Sequence, residues 1–304
     1  MNPLEVLREQ QVSERLIRDV ERFCKEYPLE ESQDYRVAQP PIPFYGKEIL
    51  EMAIAALLQG ENLLLCGSKA TGKNILAENL AWMFHRPMYN ISFHVNTDSS
   101  TLIGTDTFKD NEVQLRKGPV YQCAQYGGFG VLDEINMAKN DAVSVLHATL
   151  DYRRLIDVPG YDRISLHPAT RFIGTMNYGY AGTRELNEAL VSRFLVIRMP
   201  DLKEETLMLI LGNSFPDAKK TALQQFAGLF LDLQAKAANS EISTKSMDLR
   251  GLLAALKTMR GGLSPRAAVT MGLTNKCFDN FERELIEDMV MTRIPESWTP
   301  GDVF

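Results

Sequence analysis

The sequence predicts an α/β protein: a parallel five-stranded sheet between helices, followed by an all-helical domain. Two observations carry that expectation. Five short apolar stretches, Asn62–Cys66, Met88–Phe93, Phe129–Asp133, Phe172–Met176 and Phe194–Met199, are separated by helical patterns, which is the arrangement of a sheet covered on both faces. Beyond Pro200 no strand pattern recurs; Glu204–Leu211, Lys219–Ala237, Leu249–Met259, Pro265–Leu273 and Phe278–Val290 all read as helix.

Taken in chain order, Pro3–Tyr27 spaces its apolar residues at close to 3.6 and predicts one amphipathic helix. Its apolar stripe needs a partner, either its own core or a docking protein. Gln39-Pro40-Pro41-Ile42-Pro43 then forbids helix, because proline lacks the amide proton and restricts the residue before it. The expected domains are therefore 1–38 (helix and linker), 39–200 (α/β domain) and 201–304 (helical domain). Within the α/β domain, Glu48–Gln59 and Asn74–Phe84 read as helices. Thr107–Leu115 reads as a short hairpin turning at Asp110-Asn111.

Bulk properties narrow the function classes. A formal charge of −6 argues against a partner held by phosphate neutralisation along nucleic acid. Cys24, Cys66, Cys123 and Cys277 form no Cys-x-x-Cys pair, and His85, His94, His147 and His167 show no metal-ligand spacing. The N-terminal residues carry no positive stretch leading into an apolar one, and no apolar run reaches the roughly 18 residues needed to span a bilayer. A cytoplasmic protein without membrane insertion is expected.

Chemistry enters at Gly67-Ser68-Lys69-Ala70-Thr71-Gly72-Lys73, between the first strand and the helix that begins at Asn74. Glycines let backbone amides curl around phosphates, the helix presents its positive end to the same anion, and Lys73 reaches the β- and γ-phosphates. One position departs from the pattern: Asn74 stands where a Ser or Thr hydroxyl normally meets magnesium, although an amide oxygen is also a hard ligand. Downstream, the apolar strand Phe129–Asp133 ends in Asp133-Glu134. That order suits one carboxylate on the metal and the next as base toward water. ATP and Mg2+ are the expected ligands.

With these residues in place the sequence resembles the AAA+ superfamily, and within it the MoxR-like branch, from about Pro43 to Met271. Asp133-Glu134-Ile135-Asn136-Met137-Ala138 looks like that branch's extended second motif, preceded by Gly118-Pro119-Val120. Asn177, closing Thr175-Met176-Asn177, matches the first sensor. Arg193, at the end of the segment from Gly182 to Phe194, matches the arginine finger; Arg184 is a second basic residue there, and either can instead pair with a surface acid. Arg250, following Ser246 or Asp248 as helix cap, resembles the second sensor. Tyr45-Gly46 matches where the family closes over the base, and the hairpin is either the family's pore-facing insert or an ordinary surface hairpin.

The resemblance implies a ring-forming, hexameric ATPase that remodels a protein client, commonly alongside a von Willebrand factor A domain protein. Asn74 leaves open a different class, an ATP-gated assembly or adaptor module with little hydrolysis. A DNA motor has the superfamily behind it but not the composition.

Overall fold

The computed structural model describes residues 2–109, 111–158, 160–177 and 185–304. Two compact units emerge: Met1–Ser68 with Gly72–Met199, and Lys69–Thr71 with Pro200–Phe304.

The first unit begins with α1 (Pro3–Glu9) and α2 (Glu14–Glu26), where one continuous helix was expected. The break has a local cause. Gln11 adopts φ 59°, and Ser13 restarts the helix by accepting the Leu16 N–H at 3.5 Å. Val6, Leu7, Ile17, Val20 and Phe23 are buried in a cluster shared with α3 (Lys47–Leu58) and α4 (Lys73–Met83). The apolar stripe thus packs on its own core.

The remaining elements of this unit are β1 (Leu63–Gly67), β2 (Met88–Ser92), α5 (Ser99–Ile103), β3 (Gly104–Lys109), β4 (Glu112–Lys117), α6 (Pro119–Tyr126), β5 (Phe129–Asp133), α7 (Asn140–Val143), α8 (His147–Leu150), β6 (Leu155–Ile156), β7 (Ile164–Ser165), β8 (Arg171–Asn177), α9 (Glu188–Val191) and β9 (Leu195–Arg198). Five of the strands form one parallel sheet, ordered β2-β5-β8-β1-β9. Leu63 and Leu65 of β1 face the cluster that holds α1 to α4, whereas Leu64 and Cys66 face a second cluster with Val120, Cys123 and Ala124 of α6. Both faces are covered, as an all-parallel sheet requires. Register sets Gly67 opposite Asn177 and Ser92 opposite Asp133, so the strands' carboxyl ends share one edge.

β3 and β4 form an antiparallel hairpin with Phe108 and Val113 exposed beside its turn. Asn111 takes φ 66°, and Asp110 lies outside the described residues. The small hairpin β6–β7 follows.

The second unit contains α10 (Glu204–Ser214), α11 (Lys220–Ala238), α12 (Leu249–Arg260), α13 (Pro265–Gly272), α14 (Asn280–Arg293) and α15 (Pro300–Val303), with no strand among its described residues. Asp248 caps α12 by accepting from Arg250 N–H at 3.1 Å, while Ser246 Oγ donates to Leu273 O. Arg293 of α14 clasps Asp232 of α11 through Nε at 2.7 Å and a terminal nitrogen at 3.1 Å. Among the described residues, no helix is long and apolar enough to cross a membrane.

Candidate active site

The phosphate-loop sequence leaves the end of β1 and turns into α4. Ala70 and Gly72 both adopt left-handed backbone, φ 64° and 84°, and Gly72 caps α4 without any side chain. Gly72 offers no side chain to cap the first amides of that helix, and such a helix start favours an anion. Lys73 is 7% exposed, and its Nζ donates to Gly67 O at 3.0 Å and Ser68 O at 2.7 Å. Burial pushes its ammonium down to about 8, partly offset by negative groups that include Asp133 and Glu134. Thr71 is buried, and Ser68, Lys69, Ala70, Gly72 and Asn74 are half-buried.

Beside this loop, β5 and β8 bring four polar side chains together. Thr175 donates its hydroxyl proton to Asp133 Oδ1 at 2.6 Å and accepts the Glu134 N–H at 3.1 Å. Asn177, two residues along the same strand and so on the same face, donates Nδ2 to Glu134 Oε1 at 3.1 Å. Asn136 Nδ2 donates to Asn177 O at 2.9 Å, tying down the end of β8. Glu134 itself sits at φ 55°, a left-handed position that carries strain for a residue with a β-carbon. That turn lets Asp133 and Glu134, consecutive in sequence, both engage the end of β8.

Other residues read from the sequence fall into three places. Tyr45 and Gly46 lie next to Phe44, whose ring packs near Gly72 of the phosphate loop. Arg193 lies at the opposite, amino-terminal edge of the sheet. Its Nε donates to His147 O at 3.1 Å, Nη1 donates to Ala189 O, and Nη2 meets Asp151 Oδ2 at 3.5 Å. Since Leu195 pairs with Leu63, Arg193 is level with residue 61, six residues before Gly67 along the strand direction, or about 20 Å. Arg250 is exposed in the first turn of α12 in the second unit, and Arg184 lies outside the described residues.

Thr175 and Asn136 lie inside motifs quoted from the sequence but were given no role of their own there. The signal for Thr175 was its spacing of two from Asn177 on a strand, which forces both onto one face. Phe44, next to the segment that was singled out, was hidden because an isolated aromatic reads as core.

The donor set fits a nucleoside triphosphate and Mg2+. A glycine-capped helix start and a desolvated ammonium among backbone carbonyls match an anion, and the Asp133 carboxylate and Asn74 amide offer the hard oxygens that magnesium accepts. The network holds two carboxylates, Asp133 bonded by Thr175 and Glu134 bonded by Asn177, and a carboxylate is a group that can accept a proton from water.

Comparison with known proteins gives matches at three levels. The family model for the AAA domain (dynein-related subfamily) matches residues 62–194. The uncharacterized protein YojN of Bacillus subtilis is 31% identical over 274 residues, covering 88% of this chain and 90% of that protein. SERP0979 of Staphylococcus epidermidis is 29% identical over 244 residues, covering 78% and 92% respectively. Among solved structures, a candidate ATPase from Cytophaga hutchinsonii aligns with TM-score 0.44 and 17% identity over 95% of this chain and 96% of its own.

Proposed function

Because the chain belongs to the dynein-related, MoxR-like subfamily of AAA domains, we propose that it binds ATP with Mg2+, hydrolyses it, and works as a ring that remodels a protein client. The observation that carries the hydrolytic part is the network joining Asp133, Thr175, Glu134 and Asn177 at the strand edge from which the phosphate loop departs.

In this reading Lys73 holds the phosphates by charge and by the donors it now gives to loop carbonyls. Mg2+, held by Asp133 and Asn74, would neutralise charge developing on the phosphate oxygens. Glu134 takes the proton of the attacking water, and Asn177 keeps the carboxylate aimed while its amide contacts the water or the terminal phosphate. Arg193, about 20 Å along the sheet from its own phosphate loop, can serve only the nucleotide of a neighbouring copy. That supports a ring, for which six subunits are the family's habit. Arg250 is proposed as the sensor of the second unit. A protein client, with a von Willebrand factor A domain protein as companion, completes the proposal; with a net charge of −6, nucleic acid is not part of it.

Magnesium-dependent phosphate release tests it. Glu134→Gln should lose at least about a hundredfold in rate while still binding ATP, and Lys73→Ala should lose binding. Hydrolysis retained by Glu134→Gln would remove Glu134 from the mechanism. Binding without turnover in the wild-type chain would instead favour an ATP-gated assembly module.

A further inference from the structure

Residues 37–46 form neither helix nor strand, so side chains must supply many of the partners that this backbone needs. Gln10, in the turn between α1 and α2, supplies two. Its Nε2 donates to Phe44 O, and its Oε1 accepts the Gly46 N–H at 3.1 Å. A single planar amide thus satisfies an acceptor and a donor two residues apart, as a neighbouring strand would. From the other side, Phe44 N–H donates to Asn79 Oδ1 of α4 at 3.2 Å, and Asn79 Nδ2 donates to Ile42 O at 3.0 Å.

The clamp decides where the Phe44 ring lies. That ring is 8% exposed and sits against two glycines. A β-carbon at Gly46 would come within 3.1 Å of its Cε1, and one at Gly72 within 3.6 Å of its Cε2. Gly46 (φ 153°) and Gly72 (φ 84°) both occupy backbone that favours glycine, so neither contact could be made by a larger residue without strain. Gly72 is the cap of α4 and part of the phosphate loop. An unbroken path therefore runs from Gln10 through Phe44 and Gly46 to the loop.

We propose that Gln10 is a positioning residue for nucleotide binding: the amino-terminal helix pair, through this one amide, holds Phe44 against Gly72 and presets the phosphate loop. The inference rests on the nucleotide-binding reading above. It concerns affinity rather than chemistry, because Glu134, Asn177 and Thr175 are held by bonds to one another at the ends of β5 and β8.

The test compares the full chain with Gln10→Ala, Gln10→Glu and Glu51→Ala. Gln10→Glu keeps the acceptor for Gly46 but sets a carboxylate against Phe44 O. Glu51 accepts the Ser13 N–H at 2.8 Å, fastening the same turn through a different bond. Measured are the Kd for a fluorescent ADP analogue, KM and kcat for ATP, amide hydrogen exchange at Gly46, and the unfolding midpoint. Both Gln10 variants should raise Kd and KM about tenfold, leave kcat within about twofold and speed exchange at Gly46. Glu51→Ala should lower the unfolding midpoint and leave Kd unchanged. If Gln10→Ala lowers only the midpoint, or Glu51→Ala weakens ADP equally, the positioning role is overturned. A wild-type chain that binds no ADP overturns the nucleotide-binding reading itself, and this inference with it.

Discussion

Thr175 uses one hydroxyl group twice, giving its proton to Asp133 and a lone pair to the Glu134 amide. Replacing it with valine keeps the shape and removes both bonds, leaving a partly buried carboxylate oxygen and a backbone N–H short of partners, at about 1 kcal/mol or more. Thr175→Val should therefore lower kcat at least tenfold, with nucleotide affinity nearly unchanged, and Thr175→Ser should recover most of the loss; steady-state kinetics of the three proteins decide it. At this scale the sequence was informative where residue order carried the chemistry. Gly67 to Lys73, Asp133, Glu134 and Asn177 each sit on the expected element. Thr175 was passed over, because β-propensity alone explains a threonine in a strand and its spacing of two from Asn177 was the one signal it carried. Asn74 is the remaining residue-level question. If it limits metal binding, Asn74→Thr should raise the hydrolytic rate at low Mg2+, and equal rates would show that the amide suffices.

Elements were legible to the degree that they repeat a pattern. Phe129–Asp133 was read as a strand with both ends in place, since four apolar residues end abruptly in acids. The N-terminal helix was read as one because its apolar spacing carries on through the break. The left-handed Gln11 and the Ser13 cap are local features that hydrophobic periodicity averages away. β6 and β7, two residues each, have no periodic signal at all. Ser13→Ala should cost about 1 kcal/mol in a urea titration, as loss of a helix cap does.

The turn after α8 carries a pH-dependent tie. Asp151 is bonded mainly by Arg153, which holds its carboxyl at about 2 against an ordinary 3.8, with Arg193 adding to the effect. A lowered carboxylate pKa contributes stability that is complete above the ordinary value and is lost as pH falls toward the folded one. The stability difference between wild type and Asp151→Asn should accordingly be constant from pH 7 to 5 and shrink between about pH 4 and 2, measured by urea midpoints. A difference that persists unchanged at pH 2 would mean that the tie is not ionic.

For the molecule as a whole, the parallel sheet sets the candidate residues on two opposite edges. The phosphate loop, Asp133, Glu134 and Asn177 share the carboxyl edge, and Arg193 lies at the other. In the ring proposed above, copies of the chain meet edge to edge and Arg193 reaches the nucleotide of a neighbour. That ring is tested most directly by mixing two variants: Glu134→Gln, which keeps its arginine but cannot activate water, and Arg193→Ala, which keeps its own base but offers no finger. Each alone should release phosphate at least about a hundredfold more slowly than wild type, and the mixture should regain a substantial fraction of the activity, because Arg193 of one subunit completes the site of the next. No gain on mixing, or full activity of Arg193→Ala alone, would contradict the account.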